Sequence, residues 1–150
     1  MTPGRIFLDT NVFIIGAALP DSPEAQILRW AGFGMLQPGP VEVVVSQELF
    51  EQILRVGRRL KGKDWGSEIV GRIWHDMTFV YVLIAPHESD AIQKAGRIPR
   101  EDIGIYLTAR NGQAQCFVSS NHELIRALAG ESGEFECLSP QAFVDQALRE

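Results

Sequence analysis

Asp9 ends the apolar run RIFL and is followed, after Thr10 and Asn11, by VFII, so an acid sits where both flanks read as buried strand. An ionised carboxylate taken out of water without a partner costs several kcal/mol or more, so a carboxylate placed there must be compensated. Thr10 and Asn11 are suited to orient it by hydrogen bonds. Three further stretches carry groups of the same kind. CFVSSNHEL closes a later apolar run and delivers Ser119, Ser120, Asn121, His122 and Glu123. PRED opens a helical pattern with Asp102 in its first turn, and VVVSQELFEQIL carries Glu48 and Glu51 at i and i+3, facing roughly the same way. Carboxylates held close together repel one another and raise their own pKa values unless a cation lies among them. Mg²⁺ suits such a set: it prefers oxygen ligands, keeps several waters, and can activate one while neutralising charge on a phosphate.

Each acid also has a plainer use. Glu101 or Asp102 would favour the positive end of a helix, and Glu48 would do the same after Ser46; for any one of them alone this is the simpler account. Asp9 is harder to explain so. In an open parallel α/β sheet ligands bind outside the carboxyl ends of the strands, and Asp9 is at such an end.

The elements that must position these groups are legible as an alternation. The runs RIFLDT, VEVVVS, TFVYVLI and QCFVSS are short, β-branched or aromatic, and uniformly apolar, as expected of strands buried on both faces. Between them lie helical patterns: SPEAQILRWAGF, SQELFEQILRVGRRL, GSEIVGRIWHDM, ESDAIQKAG, PREDIGIYLTARNG and SNHELIRALAG. The last strand, EFECLS, leads into a helix opened by Ser139 and Pro140. Ser22 with Pro23 and Ser46 open two other helices, and Gly112 closes another. The order implies a parallel sheet covered by helices. With 150 residues, 45% hydrophobic and 22% charged, and neither repeat nor long linker, residues 1–150 are expected to form one globular domain.

A net charge of −5 argues against a protein that grips nucleic acid with its whole surface and leaves room for a local basic patch. Cys116 and Cys137 have neither the number nor the spacing of a metal cluster or disulfide framework, and read as free thiols in a reducing compartment. The N-terminal stretch lacks a basic region followed by a long apolar one, and no window reaches the length of a membrane span, so a cytoplasmic location is expected.

IFLDTNVFI, VVVSQELFEQIL and PREDIGIYLTARNGQAQCFVSSNHELI, with a closing strand and helix, resemble the PIN-domain ribonucleases, which include toxins of bacterial toxin–antitoxin pairs. The resemblance covers essentially the whole chain. Its most specific parts are the strand ending in DTN and the order of helix with early Asp, Gly, strand, small residues, polar residue and EL. It implies a three-layer α/β domain with a five-stranded parallel sheet flanked by helices, and an acid cluster holding Mg²⁺ or Mn²⁺ for hydrolysis of RNA phosphodiester bonds.

Carried over by position, Asp9 matches the first acid of the family and Asp102 the acid at the start of the later helix. The middle acid falls in SQELFEQIL, where Glu51 is preferred because Phe50, Ile53 and Leu54 surround it; Glu48 is the reserve, and the spacing from Ser46 is one residue off the common form. In these roles Asp9 is a direct metal ligand, Asp102 a direct or water-mediated one, and Glu51 a water-holding partner or general base. Asn121 and Glu123 complete the shell, with Thr10, Asn11, Ser119 and Ser120 in support. Asn121 stands where the family often has Asp, which removes a negative charge and weakens metal binding.

RNA must also be held. Arg55, Arg58, Arg59, Lys61 and Lys63 account for five of the 14 basic residues and fall together in RVGRRLKGK without an acid, either as a solvated helix end or as phosphate contacts. Arg97 and Arg100, flanking Asp102, are the next candidates. Trp65, Trp74 and His75 are expected to pack between helices. The scattered histidines show no zinc spacing, there is no GxSxG elbow, and AGFGMLQPGP does not run from strand to helix as a phosphate loop would. Family analogy adds a small antitoxin partner, and the apolar surface of SPEAQILRWAGF and GSEIVGRIWHDM would serve a homodimer. The competing reading is a PIN-like RNA- or protein-binding module that cuts weakly or not at all, with Asn121 the trace of the loss.

Overall fold

The computed structural model describes residues 2–131 and 133–149. Five strands form one parallel sheet: β1 (Arg5–Leu8), β2 (Glu42–Ser46), β3 (Phe79–Val82), β4 (Cys116–Val118) and β5 (Glu136–Leu138), in the order β3-β2-β1-β4-β5. The helices are α1 (Thr10–Ala18), α2 (Pro23–Trp30), α3 (Gln47–Lys61), α4 (Trp65–Asp76), α5 (Pro86–Ala95), α6 (Ile103–Asn111), α7 (His122–Glu131) and α8 (Pro140–Phe143), the last running on as a π-turn over Val144–Leu148.

β1, the central strand, pairs with β2 through Ile6 and Val43, and with β4 through Ile6–Cys116 to Leu8–Val118. Ile6, Phe7 and Leu8 are fully buried, as are Val43–Val45 and Phe117–Val118. Burying one such side chain stabilises the fold by about 1.5–3 kcal/mol, so the three inner strands hold the sheet. The expectation of double burial fails at the margins. In the edge strand β3, Tyr81 is exposed and Phe79 and Val80 are half-buried; β5, the other edge, is likewise open along Glu136.

The reading of RIFLDTNVFI as strand interrupted by an acid is corrected: the strand stops at Leu8, and VFII belongs to a helix. Asp9 has extended backbone (φ −67°, ψ 161°) and caps α1, accepting from the Thr10 N–H. Val12, Phe13 and Ile14 are apolar because that helix lies deep, with Val12 and Phe13 fully buried. Periodicity cannot distinguish a short buried helix from a buried strand.

Helix starts follow their side chains. Ser22, Ser46 and Ser139 accept from the N–H three residues on, each meeting one of the donors that a helix N-terminus leaves unpaired. α3 and α4 approach closely because both carry glycine where they meet: a Cβ on Gly57 would lie 2.8 Å from Gly66 Cα. Trp65 is partly buried there; Trp74, although 53% exposed, meets Phe50 of α3 as well as Phe79 and Tyr81 of β3, whereas His75, also expected between helices, is exposed. Both cysteines are free, and burial pushes each thiol up to about 11.

Candidate active site

All five strands point the same way, so the ends of β1 and β4 deliver Asp9 and Ser119 side by side. Ser119 Oγ donates to Asp9 Oδ2 at 2.7 Å, and the Thr10 N–H donates to Oδ1 at 2.7 Å. Asn11 Nδ2 adds a longer bond to Oδ2 at 3.4 Å and another to Ser119 Oγ at 3.3 Å. Asp9 is only 4% exposed. Burial drives its pKa upward, against the pull of the bonds from Ser119, Thr10 and Asn11.

Facing it is Asp102, the last residue of a 3₁₀ turn (Arg100–Asp102) that leads into α6. It is half-buried and its side chain makes no capping bond, so it is not held there as a helix cap. Burial, then the charge of Asp9, then that of Glu101 push its pKa up to about 6. The two carboxyl groups are thus close enough to feel each other's charge.

They share a cavity of about 250 Å³ lined by Asp9, Thr10, Asn11, Gln52, Asp102 and Asn121 on its polar side, with Ile14, Val56 and Ile105 forming the apolar wall. Thr10, Asn11, Asp102 and Asn121 therefore come together with Asp9 as their order in the chain suggests. Asn121 also caps α7, its Oδ1 accepting from the Leu124 N–H at 3.2 Å.

The middle acid is different. Glu51 is exposed and accepts from Gln47 Nε2 one turn earlier, at 2.8 Å; the polar residue that α3 sends to the cavity, beside Val56, is its neighbour Gln52. One residue along a helix is a rotation of about 100°, enough to exchange cavity for solvent. Gln52 Oε1 accepts from Thr10 Oγ at 2.6 Å, and Nε2 donates to the Glu101 carbonyl at 3.1 Å. Glu48 lies against Gly104 of α6, where a Cβ would come within 3.1 Å of its side chain. Glu123 is exposed in the first turn of α7 and is absent from the cavity lining.

A second missed residue is Glu24, only 8% exposed at the start of α2. It accepts from Ser120 Oγ at 2.8 Å, while the Ser120 N–H donates to Asn11 Oδ1 at 2.9 Å. These bonds fix the turn after β4 against α1 and α2. Sequence offered one signal for Gln52, the off-by-one spacing from Ser46; Glu24 looked like an ordinary first-turn acid after Ser22 and Pro23.

The basic residues Arg55, Arg58, Arg59, Lys61 and Lys63 are exposed at and beyond the C-terminal half of α3, and Lys61 Nζ sits 5.0 Å above the Trp65 ring. Arg55, Val56 and Arg59 follow Gln52 at i+3, i+4 and i+7, so the two arginines share its side of the helix. Arg100 is exposed in the 3₁₀ turn, two residues before Asp102.

A larger cavity of about 520 Å³ lies between residues 34–36 and α4, and contains Glu68, Arg72, His75 and Asp76. Of its two acids Asp76 is already engaged: it meets His75 Nδ1 at 2.6 Å and the Gly34 N–H at 2.8 Å, and the His75 bond holds its carboxyl below the usual range, while Glu68 is exposed. The unrelieved pair is Asp9 with Asp102.

Among known structures, the chain is similar to one in the crystal structure of VapBC2 from Rickettsia felis bound to a DNA fragment from their promoter, with a TM-score of 0.63 over 90% of this chain and 98% of that one, at 10% identity. The fold is PIN-like. At that identity the likeness concerns a single α/β domain with a five-stranded parallel sheet flanked by helices, and extends no further than the architecture. No protein-family model matches the chain, and no curated protein does. Within the PIN-like frame the cavity lies where strand ends and helix starts converge. Among the described residues no three His, Cys, Asp or Glu side chains gather as a metal cluster, and no helix is long and apolar enough to cross a membrane.

Proposed function

We propose that the protein is a divalent-metal-dependent endoribonuclease of the PIN type, with Asp9 and Asp102 as its metal carboxylates, and that it is the toxin of a toxin–antitoxin pair. The observation that carries this is the Asp9–Asp102 pair: two acids raised by burial, one of them by the other's charge, sharing a cavity at the strand ends. Carboxyls perturbed by burial and by a neighbouring charge in a cleft mark a candidate functional site. The donor set fits a hard cation. Two carboxylates carry the charge of one Mg²⁺ or Mn²⁺, and Asp9 Oδ1 keeps a lone-pair direction beyond its bond from Thr10. A bound cation supplies a lowered pKa for attacking water and neutralises charge on the phosphate.

The chain's own groups do the rest. Ser119, Asn11 and the Thr10 N–H hold Asp9 in one orientation. Ile14, Val56 and Ile105 exclude bulk water from one side, which strengthens electrostatic interactions within the cavity. Arg55 and Arg59 extend the side of α3 that carries Gln52, and Arg100 stands two residues before Asp102; these are the first candidates for phosphate contact, with Arg58, Lys61 and Lys63 at and beyond the end of α3. The amides Gln52 and Asn121 make the site poor in charge for a PIN-type nuclease. That observation favours a second reading, a PIN-like binding module that cuts weakly or not at all. The antitoxin partner rests on the VapBC2 likeness; a homodimer through the apolar surface of SPEAQILRWAGF and GSEIVGRIWHDM is proposed on family analogy.

Calorimetric titration with Mn²⁺, followed by cleavage of a mixed RNA pool, tests the proposal in the wild type and in Asp9→Asn. Metal binding and cleavage in the wild type, both lost in the variant, support it. No heat and no cleavage in the wild type up to millimolar Mn²⁺ leave the binding module.

A further inference from the structure

Gln52 is the one side chain that bridges the two halves of the acid pair among the described residues. Its Oε1 takes the hydroxyl hydrogen of Thr10, the first residue of α1, whose own N–H is bound to Asp9. Its Nε2 donates to the Glu101 carbonyl, which belongs to the peptide bond leading into Asp102. From Asp9 to Asp102 the path therefore runs through two side chains and three hydrogen bonds, with α3 as the rigid support. Thr10 is 6% exposed, so its hydroxyl depends on this partner.

The chemistry of the two ends decides which side chain can stand there. A backbone carbonyl only accepts, so it requires a donor; the Glu101 carbonyl fixes Nε2 on its side, Oε1 faces Thr10, and the Thr10 hydroxyl, which can act either way, becomes the donor. Glutamate has the length but no donor: its second oxygen would face the carbonyl and repel it. Leucine or methionine has neither function. Among these, only the neutral amide makes both bonds while glutamate is ionised.

We infer that Gln52 is a positioning residue: it clamps the 3₁₀ turn bearing Asp102 to the helix start bearing Asp9, and so sets the spacing of the two carboxylates that the proposed metal must span. This rests on the nuclease reading for its consequence but not for its geometry. Metal sites depend on such supporting bonds, and their loss typically costs about 10–100-fold in affinity or activity.

The test uses Gln52→Met, which keeps length and removes both bonds, Gln52→Glu, which keeps the Thr10 bond alone, and Thr10→Val, which keeps shape and removes one. Amide exchange is measured in the metal-free full chain, then Mn²⁺ affinity by calorimetry, then kcat and KM on an RNA oligonucleotide. The clamp predicts exchange over residues 100–104 about tenfold faster in Gln52→Met and Gln52→Glu while the β1 and β2 amides are unchanged. It predicts Mn²⁺ affinity about tenfold weaker in Gln52→Met, with kcat reduced and the KM for RNA preserved, and a smaller loss in Thr10→Val. Unchanged exchange over 100–104 in Gln52→Met overturns the inference, as does wild-type Mn²⁺ affinity in a variant whose turn has loosened. A wild type that neither binds Mn²⁺ nor cuts overturns the nuclease reading instead, and the exchange rates still decide whether Gln52 clamps the turn.

Discussion

Ser119 Oγ donates to the buried carboxylate of Asp9 across the β1–β4 junction at 2.7 Å. The two residues are 110 apart in sequence, and the parallel pairing of Leu8 with Val118 brings them together. Replacing Ser119 by Ala leaves Asp9 buried with one fewer donor. The expected loss is about 1–3 kcal/mol of unfolding free energy in urea. The sign with pH follows from linkage. Removing this bond raises the folded pKa of Asp9 further, so the native state binds its proton more tightly than the unfolded chain, and the penalty develops as pH rises above the unfolded value. Ser119→Ala is therefore expected to be more destabilising at pH 8 than at pH 4.

Asp102, pushed up to about 6, costs the metal-free protein stability as pH rises from about 4 to 6, because the unfolded chain ionises first. Asp102→Asn removes that cost. Allowing for solvent screening at a half-buried site, the variant should gain about 1 kcal/mol, a few degrees in melting temperature, at pH 7.5 and almost nothing at pH 4. Mn²⁺ reverses the order: it raises the melting temperature of the wild type and not of the variant. Paired thermal melts with and without metal check both signs.

Glu51 points to solvent and Gln52 to the cavity. Glu51→Ala should cleave RNA within about twofold of the wild type, while Asp102→Asn loses about 10²–10³-fold in kcat, as removal of a group acting on developing charge typically does. A large loss in Glu51→Ala would restore it as the middle acid.

Arg55 and Arg59, on the cavity side of α3, should bind phosphates. Changing both to Gln is expected to weaken RNA binding without altering Mn²⁺ affinity. On single strands the slope of log K against log salt should fall by about 0.7 for each phosphate that is no longer neutralised, roughly 1.4 for the pair. Fluorescence titrations at several salt concentrations give the slope directly.

Gly57 and Gly66 let α3 and α4 touch backbone to backbone, with a Cβ on Gly57 only 2.8 Å from Gly66 Cα. Gly57→Ala must separate the helices and should cost about 1–3 kcal/mol, the range of overpacked cores, in spite of the better helix propensity of Ala. Chemical denaturation measures it.

Much of this molecule is local and could be read without a structure. Val43–Val45 are β-branched and apolar, so they form an inner strand; Ser22, Ser46 and Ser139 cap the helices that follow them; Asp9 stands where a strand ends and Asp102 where a helix begins. These follow from periodicity and capping, which act within a few residues. What tertiary structure alone decided depends on rotation and reach. Whether VFII was strand or helix turned on how deeply α1 is buried, and whether Glu51 or Gln52 entered the cavity turned on a step of about 100° around an axis fixed by packing of α3 on α1, α4 and α6. Glu24 and Ser120 are 96 residues apart, and no local pattern links them. A sequence states which carboxylates stand at the ends of elements; only the packed sheet and helices determine which of them share a cavity, because a carboxylate's pKa and ligand geometry depend on neighbours that the chain brings from far away.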